Sequence, residues 1–274
     1  MPVISTNSAA NSAVMYLNIN SAQESSALSK LSSGSRITSA SDDAAGLAIS
    51  TRISSDITTL QQAATNASQA TSILQTADGG ASNISDILAR MKSLASESAS
   101  GTVTDSSRAY INSEFTQLTG EIDSIATGTR YSSQSLLDGS SVFSSGVAVL
   151  VGSTASDTIT ITLSSLTSSS LGVTSLDVST LSGATSALSL LDTAIDSVSA
   201  ARATIGAQES RFNFSASSIS TQTQNLQSAN SVIKDVDIAA EQATLSSAEV
   251  KTQAAVSAET AANQMPQYLL KLLG

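Results

Sequence analysis

Small or apolar residues recur three and four apart over spans far longer than an ordinary globular helix. The clearest run is Leu188, Leu191, Ile195, Val198, Arg202, Ile205, Glu209, Phe212, Ala216, Ile219, Thr223, Leu226, Asn230 and Ile233. A sustained heptad spacing of this kind predicts one very long helix wound against a partner helix. Its polar members, Arg202, Glu209 and Asn230, weaken such a seam but fix its register. A second run, Ile53, Ile57, Leu60, Ala64, Ala67, Thr71 and Leu74, follows the same rule as far as Asp78-Gly79-Gly80, which reads as a helix stop. The pattern resumes with Ile84, Ile87, Met91 and Leu94. After a loop over residues 101–107, Ile111, Phe115, Leu118, Ile122 and Ile125 predict a helix closed by Gly128.

Composition decides what kind of helix this is. Hydrophobic residues are 41% of the 274-residue chain, yet only 3% are aromatic and Trp is absent. Much of the apolar content is therefore Ala, the best helix former and the one that lets helices approach most closely. The two ends carry weaker faces. Near the start, Ala10, Val14, Leu17, Leu28 and Leu31 share a face that Ser21 and Glu24 interrupt; near the finish, Leu245, Ala248, Thr252, Ala255, Glu259 and Ala262 lead to a tail holding Leu269 and Leu272. Faces this weak do not hold a helix alone and stay mobile until a partner covers them. Val14, Leu17, Leu28, Leu31, Leu245, Ala255, Ala262, Leu269 and Leu272 are therefore the candidate residues for subunit assembly.

Only residues 137–181 change character, becoming rich in Ser, Thr, Gly and Val. Val147, Val149 and Val151, then Ile159, Ile161 and Leu163, alternate at period two around Gly152 to Asp157, the pattern of a β-hairpin. The expected fold is mainly α: long antiparallel helices pair N- and C-terminal segments, with a small β-hairpin region between them.

Little in the chain supports catalysis. With no His and no Cys, it lacks the commonest general base, the commonest transition-metal ligands and a thiol nucleophile. Asp42-Asp43 before an apolar run reads as a helix cap and not as paired catalytic carboxylates. Ser29-Lys30 and Lys92-Ser93 are helix neighbours that point in different directions. Asp78-Gly79-Gly80 lacks the Lys-Ser/Thr of a phosphate loop. We expect no enzyme, no cofactor and no metal. The net charge of −10 disfavours nucleic acid or an anionic membrane as the partner. No stretch approaches the roughly 20 apolar residues of a membrane span, and the first residues do not read as a cleaved Sec-type signal.

Leu28-Ser29-Lys30-Leu31-Ser32-Ser33-Gly34-Ser35-Arg36-Ile37, followed by Ser41-Asp42-Asp43-Ala44-Ala45-Gly46-Leu47-Ala48-Ile49, resembles the N-terminal pattern of bacterial flagellins. The second half agrees through Arg202-Ala203-Thr204-Ile205-Gly206-Ala207-Gln208, Ile233-Lys234-Asp235-Val236-Asp237 and Ala262-Asn263-Gln264-Met265-Pro266-Gln267. The resemblance implies a D0 layer of terminal helices (1–42 and 235–274), a D1 helical bundle (43–136 and 182–234) and a short hairpin or variable region (137–181) with no large outer domain. It implies a self-assembling subunit of the filament that drives swimming, exported unfolded by the flagellar type III system to the cell exterior.

Its implied partners are other copies of itself and sibling flagellins, hook-associated and cap proteins, and an export chaperone on the C-terminal helix. Arg36, Asp42 and Asp43 would hold the D0-to-D1 connection. Ser140, Ser144, Thr154 and Ser156 are candidate O-glycosylation sites. Arg90, Leu94 and Glu97 occupy the helix that the flagellin-sensing Toll-like receptor reads; with Ala89 and Glu97 at positions that are commonly Gln, weak or no recognition is expected. A hook-filament junction protein, a secreted helical adhesin and a Ser/Lys or carboxylate hydrolase are the competing expectations.

Overall fold

The computed structural model describes residues 7–273, with side chains as far as residue 268. In chain order the elements are α1 (Ser8–Ser33), α2 (Ala44–Ser98), α3 (Asp105–Gly128), β1 (Arg130–Tyr131), β2 (Gln134–Ser135), α4 (Val142–Ser145), β3 (Val147–Leu150), β4 (Thr158–Ile161), α5 (Leu181–Lys234) and α6 (Ile238–Leu273). They divide into two compact units, one built from residues 1–55 and 225–274 and the other from residues 56–224.

In the first unit, α1 and α6 pair antiparallel. The Asn7 amide donates to the Ala262 carbonyl at 2.8 Å, and Thr252 Oγ1 donates to Glu24 Oε2 at 3.3 Å. Each helix begins with a side-chain cap that satisfies its orphan amides. Asn7 Oδ1 accepts from the Ala10 N–H at 3.1 Å, and Asp237 Oδ1 accepts from the N–H groups of Ala239 and Ala240 at 2.9 and 3.2 Å. Helix α1 stops at Gly34, which takes the left-handed conformation at φ 67° that glycine adopts without strain.

The seam between α1 and α6 is made of small residues. On α6 it is the expected one: Leu245, Ala248, Ala255 and Ala262 are buried. On α1 it differs. Ala10 and Ala27 are buried, Leu17 and Leu31 are half-buried, and Val14 and Leu28 are exposed. The sequence reading placed all five apolar residues on one face, but the face nearest α6 is the one where alanine permits close approach.

In the second unit, the central part of α2 packs antiparallel on α5, joined by α3. Arg202 on α5 pairs with Asp78 on α2, and Lys92 on α2 pairs with Asp192 on α5. The buried rows are Ala67, Ala70, Leu74, Ala77, Ala81, Ile84, Leu88 and Met91 on α2, and Ala184, Ala187, Leu191, Ala194, Val198, Ala201, Ile205 and Phe212 on α5. Leu191, Val198, Ile205, Phe212 and Ile219 are the expected core residues. The members between them are shifted by one position, however, so Ala187, Ala194 and Ala201 are buried while Leu188, Ile195 and Ala216 flank the seam as half-buried residues. Close packing at a heptad centre favours the smaller side chain, and the larger ones cover its edge.

Asp78-Gly79-Gly80 is not a stop. Helix α2 runs without interruption from Ala44 to Ser98. A Cβ on Gly80 would collide with the Thr129 hydroxyl and come within 2.9 Å of Leu137 Cδ1, whereas one on Gly79 would meet nothing within 4 Å. Gly80 is thus a packing glycine that lets the chain after α3 lie directly on α2. Helix α3 starts at Asp105, inside the segment read as a loop, with the Thr104 hydroxyl accepting from the Ser107 N–H at 3.3 Å.

The hairpin is present: β3 and β4 pair antiparallel with Val147 opposite Ile161 and Leu150 opposite Thr158. Ile159, Ile161 and Leu163 point into the core, as the alternation requires. A second, smaller hairpin joins β1 and β2 through Ser132 and Ser133, both with positive φ (48° and 69°). This is the mirror-image turn that ordinarily selects Asn-Gly, so serine in both positions hid it from the sequence reading.

The two neighbouring glycines separate propensity from packing. Gly79→Ala is expected to stabilise the chain by about 0.5–1 kcal/mol, because only helix propensity changes. Gly80→Ala is expected to destabilise it by about 1–3 kcal/mol through overpacking. Chemical denaturation of the two variants beside the parent checks this, and equal shifts of the same sign would contradict it.

Candidate functional site

Three places in the described residues bear on function: the link between α1 and α2, the outward surface of the α1–α6 pair, and the polar residues embedded in the central helices.

The link is held by the chain's own second half. Ser35 forms an antiparallel bridge with Asp235, the Arg36 N–H donates to the Lys234 carbonyl at 2.7 Å, and the Val236 N–H donates to the Gly34 carbonyl at 3.1 Å. Arg36 Nη2 donates to the Ile233 carbonyl at 2.7 Å, so one guanidinium caps the last turn of α5. Asp42 Oδ2 accepts from the Thr38 N–H, the Thr38 hydroxyl and the Ser39 N–H at 3.0, 3.0 and 2.9 Å. These donors, led by the Ser39 and Thr38 backbone groups, lower the Asp42 pKa to about 2. Asp43 Oδ1 accepts from the Gly46 N–H at 2.8 Å, the geometry of an N-cap for α2. Asp43 therefore caps α2, whereas Asp42 braces the turn before it by bonding back to Thr38 and Ser39, and Arg36 ties the start of the same link to the end of α5.

On the outward surface of the α1–α6 pair, Val14, Met15, Tyr16, Ile19 and Leu28 remain exposed on α1, and Val250, Val256, Met265 and Tyr268 on α6. Val250 is 70% exposed and Leu28 is 58% exposed. A shallow cleft of about 410 Å³ runs between the helices, lined by Ala13, Tyr16, Asn20, Lys251, Ala254 and Ala258. Single exposed apolar residues are ordinary; here several recur along two paired helices, which makes this face the candidate for contact with another molecule. Of the candidate assembly residues, Val14 and Leu28 lie on this surface, Leu17 and Leu31 at its edge, and Leu245, Ala255 and Ala262 in the seam beneath. The side chains of Leu269 and Leu272 lie outside the described residues.

The other candidates lie in the central unit. Arg90 pairs with Glu114 through its Nε and Nη2, at 2.9 and 2.6 Å; Leu94 is buried and Glu97 exposed. Ser140, Ser144, Thr154 and Ser156 are exposed. Ser140 donates to Asp138 at 2.6 Å, Ser144 to the Ser141 carbonyl at 2.8 Å, and Thr154 to Asp157 at 2.7 Å.

Several polar residues that hold the second unit together had no sequence signal beyond their chemistry. Gln208, nearly buried, donates through Nε2 to the Thr162 carbonyl (3.0 Å) and accepts at Oε1 from the Thr162 N–H (3.2 Å). It acts as a surrogate strand partner at the end of β4. Asn66 Nδ2 donates to the Leu150 carbonyl at 3.2 Å and secures β3. Arg108, 6% exposed, donates to the carbonyls of Ser98 and Ser100 at the end of α2 and to Asp105.

Arg202 and Glu209, expected within the α5 seam, sit at its edge. Arg202 reaches Asp78 with two bonds, at 2.9 and 3.3 Å. Glu209 Oε1 is sealed from solvent without a hydrogen-bond partner. Burial first, and then the nearby Asp78 carboxylate, raise its pKa above the usual carboxylate range.

One unit is a helix pair made from the two ends of the chain and the other is a helical bundle closed by residues from both halves, the organisation of an α-helical protein whose termini pair with each other. Residues 4–142 match the family model described as the bacterial flagellin N-terminal helical region, and residues 188–273 match that for the bacterial flagellin C-terminal helical region. The chain is 35% identical over 273 residues to a flagellin of Halalkalibacterium halodurans, covering 99% of both chains. It is 32% identical over 283 residues to the flagellar filament 30.7 kDa core protein of Treponema maltophilum, again covering 99% of both. The crystal structure of Bacillus cereus flagellin superimposes with a TM-score of 0.52 at 29% identity, over 61% of this chain and 94% of that one.

The chain belongs to the bacterial flagellin family. Flagellins are structural proteins and components of the flagellar filament, which lies outside the cell. No helix among the described residues is long and apolar enough to cross a membrane.

Glu209 gives a pH-dependent test of this polar seam. A carboxyl whose folded pKa is raised contributes stability only while protonated, and that contribution is lost as pH rises through the folded pKa. At pH 7 the ionised group is therefore a cost that a neutral amide reduces. Glu209→Gln is expected to raise Tm by about 2 °C at pH 7 and to change it little below about pH 4. A thermal melt series across that range checks this; a lower Tm at pH 7 would contradict it.

Proposed function

We propose that this chain, delivered unfolded by the flagellar type III system, assembles with copies of itself into the flagellar filament through the surface of α1 and α6. The observation that carries this is the number of large apolar side chains left exposed after the two helices have paired: Met15, Tyr16, Ile19 and Leu28 on one, Val250, Met265 and Tyr268 on the other. Burial in a neighbouring copy supplies roughly 25 cal/mol per Å² of apolar surface, which the Ala-based seam of the monomer leaves unused. Contacts between unlike surfaces of identical subunits generate an open helical polymer where the rotation from copy to copy does not close into a ring. Arg36, Asp42 and Asp43 hold the short link that joins the terminal D0 helices to the D1 bundle in this arrangement.

Because Leu28 and Val250 are exposed, charging them leaves the monomer's fold nearly unchanged, within about 0.5 kcal/mol. The full-length double variant Leu28→Glu, Val250→Glu is expected to melt like the parent and to add to filament seeds at least tenfold more slowly. Seeded growth followed by light scattering and electron microscopy reads this directly. Elongation at the parental rate would contradict the assignment of this surface.

A further inference from the structure

The exposed terminal surface also carries the accessible sulfur among the described residues. There are four methionines and no cysteine, so thioethers are the only side chains open to reversible two-electron oxidation. Met91 lies in the core at 0% exposure, whereas Met15 and Met265 are 53% and 60% exposed. Both exposed residues are on the terminal helices, one on α1 and one on α6. Each stands within an apolar group: Met15 beside Tyr16 and one turn from Ile19, and Met265 one turn from Tyr268. Met1 lies outside the described residues.

We propose that Met15 and Met265 are peroxide-reactive modification sites whose oxidation to sulfoxide blocks addition of the subunit to its polymer. This rests on the assembly surface proposed above. The chemistry needs only a peroxide: the thioether sulfur attacks one peroxide oxygen, the O–O bond breaks, an S–O bond forms, and the other oxygen leaves as water. Sulfur is oxidised by two electrons, the peroxide is reduced by two, and no net proton is consumed.

The product replaces a flexible apolar side chain with a polar, chiral one that is a strong hydrogen-bond acceptor. In the monomer that acceptor faces water at no cost. Covered by a neighbouring copy's apolar side chains it has no donor, so oxidation disfavours the assembled state selectively. Oxidation thus acts on the free subunit, assembly shields the same thioethers, and sulfoxide reduction reverses the block.

The test uses the full chain, hydrogen peroxide and seeds of untreated filament. Peptide mass mapping of native peroxide-treated monomer is expected to find sulfoxide at Met15 and Met265 while Met91 stays a thioether. Seeded elongation is expected to fall at least tenfold and to recover after treatment with methionine sulfoxide reductases. Met15→Leu, Met265→Leu, which still carries Met1 and Met91, is expected to elongate equally with and without peroxide, whereas Met91→Leu remains sensitive. The inference is overturned if oxidised parent elongates at the untreated rate, if peroxide slows the double variant by the same factor as the parent relative to each one's own untreated rate, or if Met91 oxidises as fast as the other two. Untreated parent that fails to elongate overturns the assembly reading itself, and with it the consequence drawn here. Untreated growth followed by insensitivity to peroxide overturns the inference alone.

Discussion

Helix separation is the constraint on which the rest of this structure depends. In both units the residue at the centre of the seam is most often alanine: Ala10, Ala27, Ala248, Ala255 and Ala262 in one, Ala67, Ala70, Ala77, Ala81, Ala187, Ala194 and Ala201 in the other. Each contributes little buried area, so stability has to accumulate over length, and the helices accordingly run to 55 residues in α2 and 54 in α5. Close approach also makes room expensive elsewhere. At Gly80 the packing leaves no room for a Cβ, and Thr129 and Leu137 rest on it.

A seam of small side chains specifies its register weakly, because one alanine resembles the next. Polar groups supply what the apolar ones do not. In the central unit the two-bond Arg202–Asp78 pair, the Gln208 clamp on Thr162 and the Asn66 tie to β3 each have one correct partner, and a slipped register leaves all three without it and Gln208 unpaired in a buried position. Glu209 is the exception within this set, a carboxylate with one oxygen sealed off and nothing bonded to it. In the terminal unit, Arg36, the Asp42 brace on Thr38 and Ser39 and the Asp43 cap fix the turn of chain between α1 and α2 by the same means.

The periodicity of the sequence was enough to recover the existence and length of α5, the α6 seam residue by residue, and the β3–β4 hairpin. It placed every second member of the α5 seam correctly and misplaced those between by one position, as it did Leu28 beside the buried Ala27 on α1, since a heptad reading rewards large residues where the seam takes alanine. It broke α2 at Gly79-Gly80 because a glycine pair has the same appearance whether it ends a helix or admits a neighbour, and only the position of Thr129 and Leu137 distinguishes the two. The second hairpin was illegible because Ser132 and Ser133 occupy conformations that their identity does not announce. At the terminal surface the apolar residues were visible in the sequence; which of them the partner helix covers and which stay outside was not.

The central claim is that α1 and α6 satisfy each other only in part, leaving an apolar surface to be covered in the polymer. Amide hydrogen exchange, measured in the free chain and again after seeded assembly, tests it most directly, because protection reports how far each helix opens on its own. The account predicts that α1 and α6 exchange much faster than the buried stretch of α5 around Leu191 to Phe212 in the free chain and gain protection on assembly by a factor of a hundred or more. Terminal helices already as protected as α5 in the free chain, and unchanged by assembly, would contradict it.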